Sequence, residues 1–294
     1  MPLSLGISTA GHVSIGLVKD HRVIASAQEP SNDPADSLLA LPMERLVEKV
    51  AGLSRQLCDE HNVKPSVAGI CFPGIVRDGV IEESPNLKQA KGANLRDMLV
   101  SGFEAVAMRV EVSVCNDADA IATGIAAERG HLEKLIRVWT LGQGIGFGRY
   151  PHAAGPCEGG HTVVSLDPKE VFCGCGGKGH LEGIMGQRAM RLRFLDLEPE
   201  EVFANAQRGD PRCSEFEQLW HRALAAASAT SVHLEGPGKF FITGPNARFV
   251  KVAILTQYLQ EMVSMSPLQG SMFEVIGADE NLAIIGAAVN AEQA

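Results

Sequence analysis

The segment "GGHTVVSLDPKEVFCGCGGKGHLE" places His161, Cys173, Cys175 and His180 in one short stretch of chain. Two thiols and two imidazoles are the donor set that zinc takes in a closed tetrahedral site, and such four-ligand sites are structural. Gly174, Gly176, Gly177 and Gly179 leave the backbone free to wrap tightly around an ion. Cys-x-Cys lacks the spacing of the usual Cys-x-x-Cys redox pair. Free thiols beside surface histidines remain the plain alternative, but a Cys-x-Cys between glycines has little packing value.

A second constellation is "VCNDADA", where Asn116 and Asp117 follow an apolar run and precede a helical pattern. A carboxylate at a strand end can take a proton from a hydroxyl within hydrogen-bond reach. The same pair is also an ordinary helix N-cap, and Asp119 reads as a first-turn acid complementing the helix dipole. At the N-terminus "LGISTAGHVSIGLV" joins two apolar runs through small and polar residues, a hairpin able to present backbone N–H groups to a phosphate.

Strands are expected at 3–8, 12–18, 22–28, 66–72, 110–115, 135–141 and 239–243 from short apolar runs bounded by turn residues. A helix over 42–60 carries Leu46, Val47, Val50, Leu53 and Leu57 on one stripe, with Pro42 suited to its first turn. Further helices are expected over 118–129, 181–193, 212–234, 247–261 and 281–291, with a glycine-rich turn at 142–148 and an irregular insert over 151–179. In the last helix the run Gly286-Ala287-Ala288 suits close packing. The alternation predicts an α/β fold with mixed sheets. The expected division is a smaller lobe of 1–117 plus 281–294 and a larger lobe of 118–280.

The chain has 294 residues and a formal net charge of −9, which argues against a general nucleic-acid-binding surface. No apolar run reaches membrane-spanning length, and no basic, cleavable leader opens the chain. Seven cysteines without an export signal point to thiols or metal ligands rather than a disulfide scaffold, and to the cytoplasm.

Taken together, the motifs resemble the ROK family of repressors, uncharacterised frames and sugar kinases. Glu158-Gly159-Gly160-His161 matches that family's Glu-x-Gly-His, and Cys173-Gly174-Cys175-Gly176-Gly177-Lys178-Gly179 matches its Cys-x-Cys-Gly-x-x-Gly run. His180-Leu181-Glu182 follows, with His180 in place of the family's last cysteine, an exchange zinc accepts. "FPGIVRDGVIEESPNL", "VCNDADA", "TLGQGIGFG" and "ENLAIIGAA" fall in the family's order. The resemblance implies a two-lobed actin-like ATPase fold built from duplicated RNase H-like cores. It resembles the glucokinase-like members, starting directly at the first lobe without the repressors' DNA-binding domain.

It further implies an ATP- and Mg²⁺-dependent kinase acting on a hexose or amino-hexose, with structural zinc on His161, Cys173, Cys175 and His180, and a homodimer. Asp117 is then the general base. Gly74, Asn86, Asn116, Asp117, Glu158, His161 and Glu182 border the sugar, with lobe closure around it. The nucleotide side is Ser8, Gly11, His12, Gly142, Gln143, Gly144 and Gly244. Here the chain departs from the family. Its Asp-x-Gly-Gly-Thr hairpin reads Ser8-Thr9-Ala10-Gly11-His12, its Gly-Thr-Gly-x-Gly loop reads Gly142-Gln143-Gly144-Ile145-Gly146, and its Gly-Gly-Gly turn reads Gly244-Pro245-Asn246. Two readings follow: a kinase with an unusual phosphate side, or a sugar-binding protein that has lost transfer.

Overall fold

The computed structural model describes residues 3–9, 11–28, 41–84, 87–152 and 157–294. They divide into two compact units, Met1–Ile136 with Gly148–Cys157 and Asp279–Ala294, and Arg137–Phe147 with Glu158–Ala278.

The first unit is built on a five-stranded sheet. Strands β1 (Ser4–Ser8), β2 (Ser14–Lys19) and β3 (Arg22–Gln28) form an antiparallel meander. Beyond β1, strands β4 (Val67–Phe72) and β7 (Glu111–Asn116) run parallel, giving the order β3-β2-β1-β4-β7. Parallel neighbours need crossovers. Helix α1 (Met43–Glu60) links the meander to β4, and α2 (Leu95–Ala105) precedes β7. Pro42 caps α1, whose buried face carries Leu46, Val47, Val50 and Leu57 as the stripe predicts, with Leu53 half-buried. Between β4 and α2 lies the hairpin β5 (Ile75–Arg77) and β6 (Val80–Glu83).

Helices α3 (Asp117–Glu128) and α9 (Glu280–Gln293) complete this unit and pack along each other. Their contact is a backbone approach. A Cβ at Gly286 would collide with the carbonyl oxygen of Ala120, and one at Gly69 of β4 with that of Ala287. The small-residue run of the last helix is therefore what lets it lie on the sheet. The same contact explains why the unit differs from the expected division at 117/118. Residues of α3 bury their apolar face with α9 and stay with the N-terminal sheet rather than beginning a second lobe.

The second unit has a four-stranded sheet in the order β11-β10-β8-β9, from β8 (Ile136–Leu141), β9 (Ile145–Tyr150), β10 (Lys239–Thr243) and β11 (Met272–Val275). Helices α4 (Leu181–Met185), α5 (Gln187–Arg193), α6 (Pro199–Gln207), α7 (Pro211–Glu235) and α8 (Val252–Met262) surround a core that includes Trp139, Phe147, Trp220, Phe203 and Phe240. The helix expected over 181–193 is broken at Gly186, which is extended at φ −63, ψ 142. The helix expected from 247 starts at Val252, because Pro245–Phe249 forms a tight 3₁₀ turn. The segment expected as a turn at 142–148 becomes strand from Ile145 on. No helix among the described residues is long and apolar enough to cross a membrane.

Candidate functional site

In the second unit the irregular insert is folded by its own backbone bonds. Val163 and His180 form an isolated bridge, the Val164 N–H donates to the Gly179 carbonyl at 2.8 Å, and the Leu181 N–H to Thr162 at 2.9 Å. Gly179 sits at φ +68, where a Cβ would also strike the Ser165 carbonyl. A Cβ at Gly177 would fall on the His180 ring.

This wrapping brings His161, Cys173, Cys175 and His180 together, with one ligand atom of each within 4.8 Å of the others. His161 Nδ1 lies 3.2 Å from Cys175 Sγ, 3.3 Å from His180 Nδ1 and 3.7 Å from Cys173 Sγ. The two sulfurs are 3.4 Å apart, and Cys175 Sγ is 3.3 Å from His180 Nδ1. A zinc tetrahedron with ordinary bond lengths has edges of about 3.3 to 3.8 Å. The donors fit that ion. Burial pushes the Cys173 thiol up to about 12, with Glu182 among the groups that oppose its ionisation. A dication reverses that balance, so binding releases protons. Burial and then the neighbouring His161 lower the pKa of His180, which favours the neutral imidazole that metal binding requires. His161 turns Nδ1 to the cluster and Nε2 toward Glu158 Oε2, 3.9 Å away.

Glu182 follows the last ligand by two residues. Its Oε2 accepts the Ile145 N–H at 3.0 Å, and its Oε1 lies 3.7 Å from Cys173 Sγ. The loop of Gly142, Gln143 and Gly144 is held further by Gln187, whose N–H donates to the Gly142 carbonyl at 3.0 Å and whose side chain accepts from Gln143 at 2.6 Å. Asn246 Nδ2 donates to the same carbonyl at 3.2 Å. Gly244 introduces that turn at φ +95. Gly142, Gln143, Gly144 and Gly244 thus form one neighbourhood within this unit. Sequence reasoning missed Gln187 and Asn246, whose amides show no motif until the fold aims them at Gly142.

In the first unit Asp117 opens α3. Asn116 caps it, its Oδ1 accepting the N–H groups of Ala118 at 2.8 Å and Asp119 at 3.2 Å. Asn116 Nδ2 donates to the Gly74 carbonyl at 2.9 Å, fixing the Pro-Gly turn where Gly74 has φ +133. The cap and the expected site residue are one and the same. Asp117 Oδ1 accepts the Ala118 N–H at 2.9 Å. Burial raises the Asp117 pKa; the N–H bonds pull against it, and Asp119 adds to the rise. Asp119 does more than complement a dipole, since it accepts the Arg149 N–H at 2.9 Å and faces His152. His152, read as a loop residue, is bonded to Asn290 Oδ1 at 2.7 Å. Asn86 lies outside the described residues.

The described residues of the first hairpin are held by β4 and α9. Ser8 is buried on β1, opposite Ser14 and Cys71. Gly11 turns the chain at φ +92 in open space. His12 Nε2 lies 3.2 Å from Glu280 Oε2, an oxygen that also accepts from Ser14 at 3.2 Å and Gln28 at 2.7 Å. Glu280, from α9, is thus a carboxylate beside His12 and Ser14 that only the fold reveals.

The model of the ROK family matches residues 10–294. The chain belongs to the ROK family. Its fold is the actin-like ATPase fold of that family's sugar kinases. The ROK hexokinase of Thermus thermophilus superposes with a TM-score of 0.81 at 21% identity, over 99% of this chain and 98% of that one. A ROK glucokinase from Streptomyces griseus, solved with glucose and AMPPNP, gives 0.71 at 21% identity over 99% of this chain and 100% of that one. A glucokinase of Pyrobaculum calidifontis is 29% identical over 190 residues, which span 60% of this chain and 61% of that protein. Within this ROK chain, the segment of His161, Cys173, Cys175 and His180 and the second loop are joined through Glu182.

Proposed function

We propose that the chain is a kinase transferring the terminal phosphoryl group of ATP to a hydroxyl of a hexose or amino-hexose. The observation that carries this reading is Asp117, a carboxylate held at a helix start by its own cap, one oxygen on the Ala118 N–H and its basicity raised by burial. The similarity to glucokinases and the family membership support the substrate class. In this reading the acceptor hydroxyl donates to Asp117 Oδ2. As the hydroxyl oxygen bonds to the γ-phosphorus, its proton passes to Asp117 and the bond to the β-phosphate oxygen breaks, releasing ADP. Glu158 and His161 Nε2 bind sugar hydroxyls, with Nδ1 of His161 committed to the ion and the tautomer thereby fixed. Zinc, when bound by His161, Cys173, Cys175 and His180, supplies structure rather than chemistry. Asn116 has one N–H left for a hydroxyl after its cap and Gly74 bonds.

The first hairpin offers no acidic oxygen for Mg²⁺ at position 8, where Ser8 stands buried. That observation favours the second reading, a sugar-binding protein without transfer, since Ser8 is buried and His12 is tied to Glu280. A matrix of sugars against nucleotides separates the two. Kinase activity gives sugar-dependent ADP release and thermal shifts with both ligands. Sugar shifts with no nucleotide shift and no ADP at high protein concentration sink the kinase.

A further inference from the structure

Helices α4 and α5 touch the metal segment at both ends. At the start the Leu181 N–H bonds to Thr162, directly after the ligand His180. At the far end Arg193 bonds Glu170 at 3.1 and 2.5 Å, and the carbonyl of Glu170 accepts the Gly179 N–H at 2.7 Å. The same two helices carry the attachments of the Gly142–Ile145 loop, through Glu182, the backbone N–H of Gln187 and the Gln187 side chain. Glu182 is the shortest link of all. One carboxylate reaches the Ile145 N–H with one oxygen and approaches the ligand Cys173 with the other. The fit is tight on the loop side, where a Cβ at Gly144 would lie 2.5 Å from Glu182 Oε2.

We propose that Glu182 is a positioning residue that makes the conformation of the Gly142–Ile145 loop depend on the ion held by His161, Cys173, Cys175 and His180. The inference rests on the reading of that cluster as a zinc site and of that loop as a phosphate loop. The physical basis is that the carboxylate follows the metal loop. With the ion bound, the segment from Cys173 to Glu182 is fixed, and Oε2 stays on the Ile145 N–H. With the ion gone, the ligands separate, residues 181–182 move with them, and the loop loses the acceptor that orders it.

Hydrogen–deuterium exchange on the full chain tests this without any nucleotide. In the zinc-loaded protein the amides of 142–146 are protected. Removing zinc with a chelator raises their exchange about tenfold, while the amides of β10 stay as they were. In zinc-loaded Glu182→Ala the loop exchanges about tenfold faster with one zinc per chain retained, and Glu182→Gln, which keeps an acceptor oxygen, restores protection. Should Glu182→Ala fail to fold, Glu182→Asp decides in its place, because it keeps the charge and shortens the reach to Ile145. Loop protection unchanged by zinc removal, or unchanged in Glu182→Ala and Glu182→Asp, overturns the proposal. A titration with AMPPNP in parallel keeps the two readings apart. Coupled exchange without AMPPNP binding removes the nucleotide role of the loop and leaves the coupling standing, while AMPPNP affinity that falls about tenfold in Glu182→Ala and returns in Glu182→Gln supports both.

Discussion

In the segment from Glu158 to Glu182, four ligand atoms converge on one point, with separations of 3.2 to 3.7 Å among the measured pairs. At the first hairpin Ser8 is buried in the sheet, while His12 and Ser14 reach one and the same oxygen of Glu280. A metal site tolerates only exchanges between ligands that reach the same point, and in the proposed zinc reading His180 is such an exchange. A phosphate loop works largely through backbone N–H groups and glycine turns. The proposed reading of the first hairpin as such a loop rests on Gly11, at φ +92, and not on its side chains.

The sharpest way to break this contrast is Asp117→Asn. Sugar-dependent ADP release falls by about 10²- to 10⁴-fold, the usual worth of a general base, while the fold persists because the amide oxygen still accepts the Ala118 N–H. A base acts only when ionised, and burial raises this carboxyl, so activity in the intact protein is lost on acidification at a pH above the ordinary carboxylate value of 3.8. A pH–rate profile flat through that region counts against Asp117. Next in size is Cys175→Ser. Zinc content drops from about one per chain toward zero, and Tm falls by roughly 5 °C, equivalent to about 2 kcal/mol in a domain of this size. An unchanged Tm with the metal lost shows the segment to be as dispensable as the hairpin.

A smaller effect is expected from Ser8→Asp combined with His12→Thr. It raises ADP release by roughly tenfold, about 1.4 kcal/mol, if the hairpin keeps its backbone competence. No gain, or loss of folding from an acid at the buried position, places the drift beyond side-chain repair. The smallest effect sets the background for the metal measurement. His221 is fully buried and neutral, with Nδ1 bonded to the Glu217 carbonyl and Nε2 accepting the Lys251 N–H at 2.9 Å. Burial lowers its pKa below 6.5 in the folded protein. The folded state therefore binds fewer protons, and the contribution of His221 is complete above pH 6.5 and lost as pH falls below it. The Tm decline from about pH 7.5 to about 5.5 is shallower in His221→Gln, measured with zinc in excess.

Much of this was readable from residue types, because strands and the long amphipathic helices write their burial into their period. The stripe of α1 and the strands β1 to β4 are of that kind. The grouping of His161, Cys173, Cys175 and His180 was readable because zinc chemistry favours a few residue types at close spacing, and the fold brings those four side chains together. What escaped had its cause in tertiary contacts. Helix α6, not among the helices expected from the sequence, starts on a reciprocal cap between Glu198 and Glu201. Strand β9 alternates glycines with Ile145 and Phe147 and so passed for a turn. Glu182 was expected on a sugar hydroxyl, while in the fold one oxygen is committed to Ile145. Position 8 showed a missing acid, but nothing local in Glu280 said that α9 would bring a carboxylate to the hairpin.

The close seating of α9 on Gly69 and against α3 also has a consequence for the order of events during synthesis. Residues Asp279–Ala294 belong to the unit that begins at the N-terminus, whereas most of the other unit is one continuous run, Glu158–Ala278. On the ribosome the continuous run emerges before α9 does. The N-terminal sheet must wait, with the faces of β1 and β4 that α9 covers still open, until the final turns of helix leave the exit tunnel. Nascent chains arrested before and after that point should differ in protease resistance in the first unit alone, which makes α9 the clasp that closes that unit.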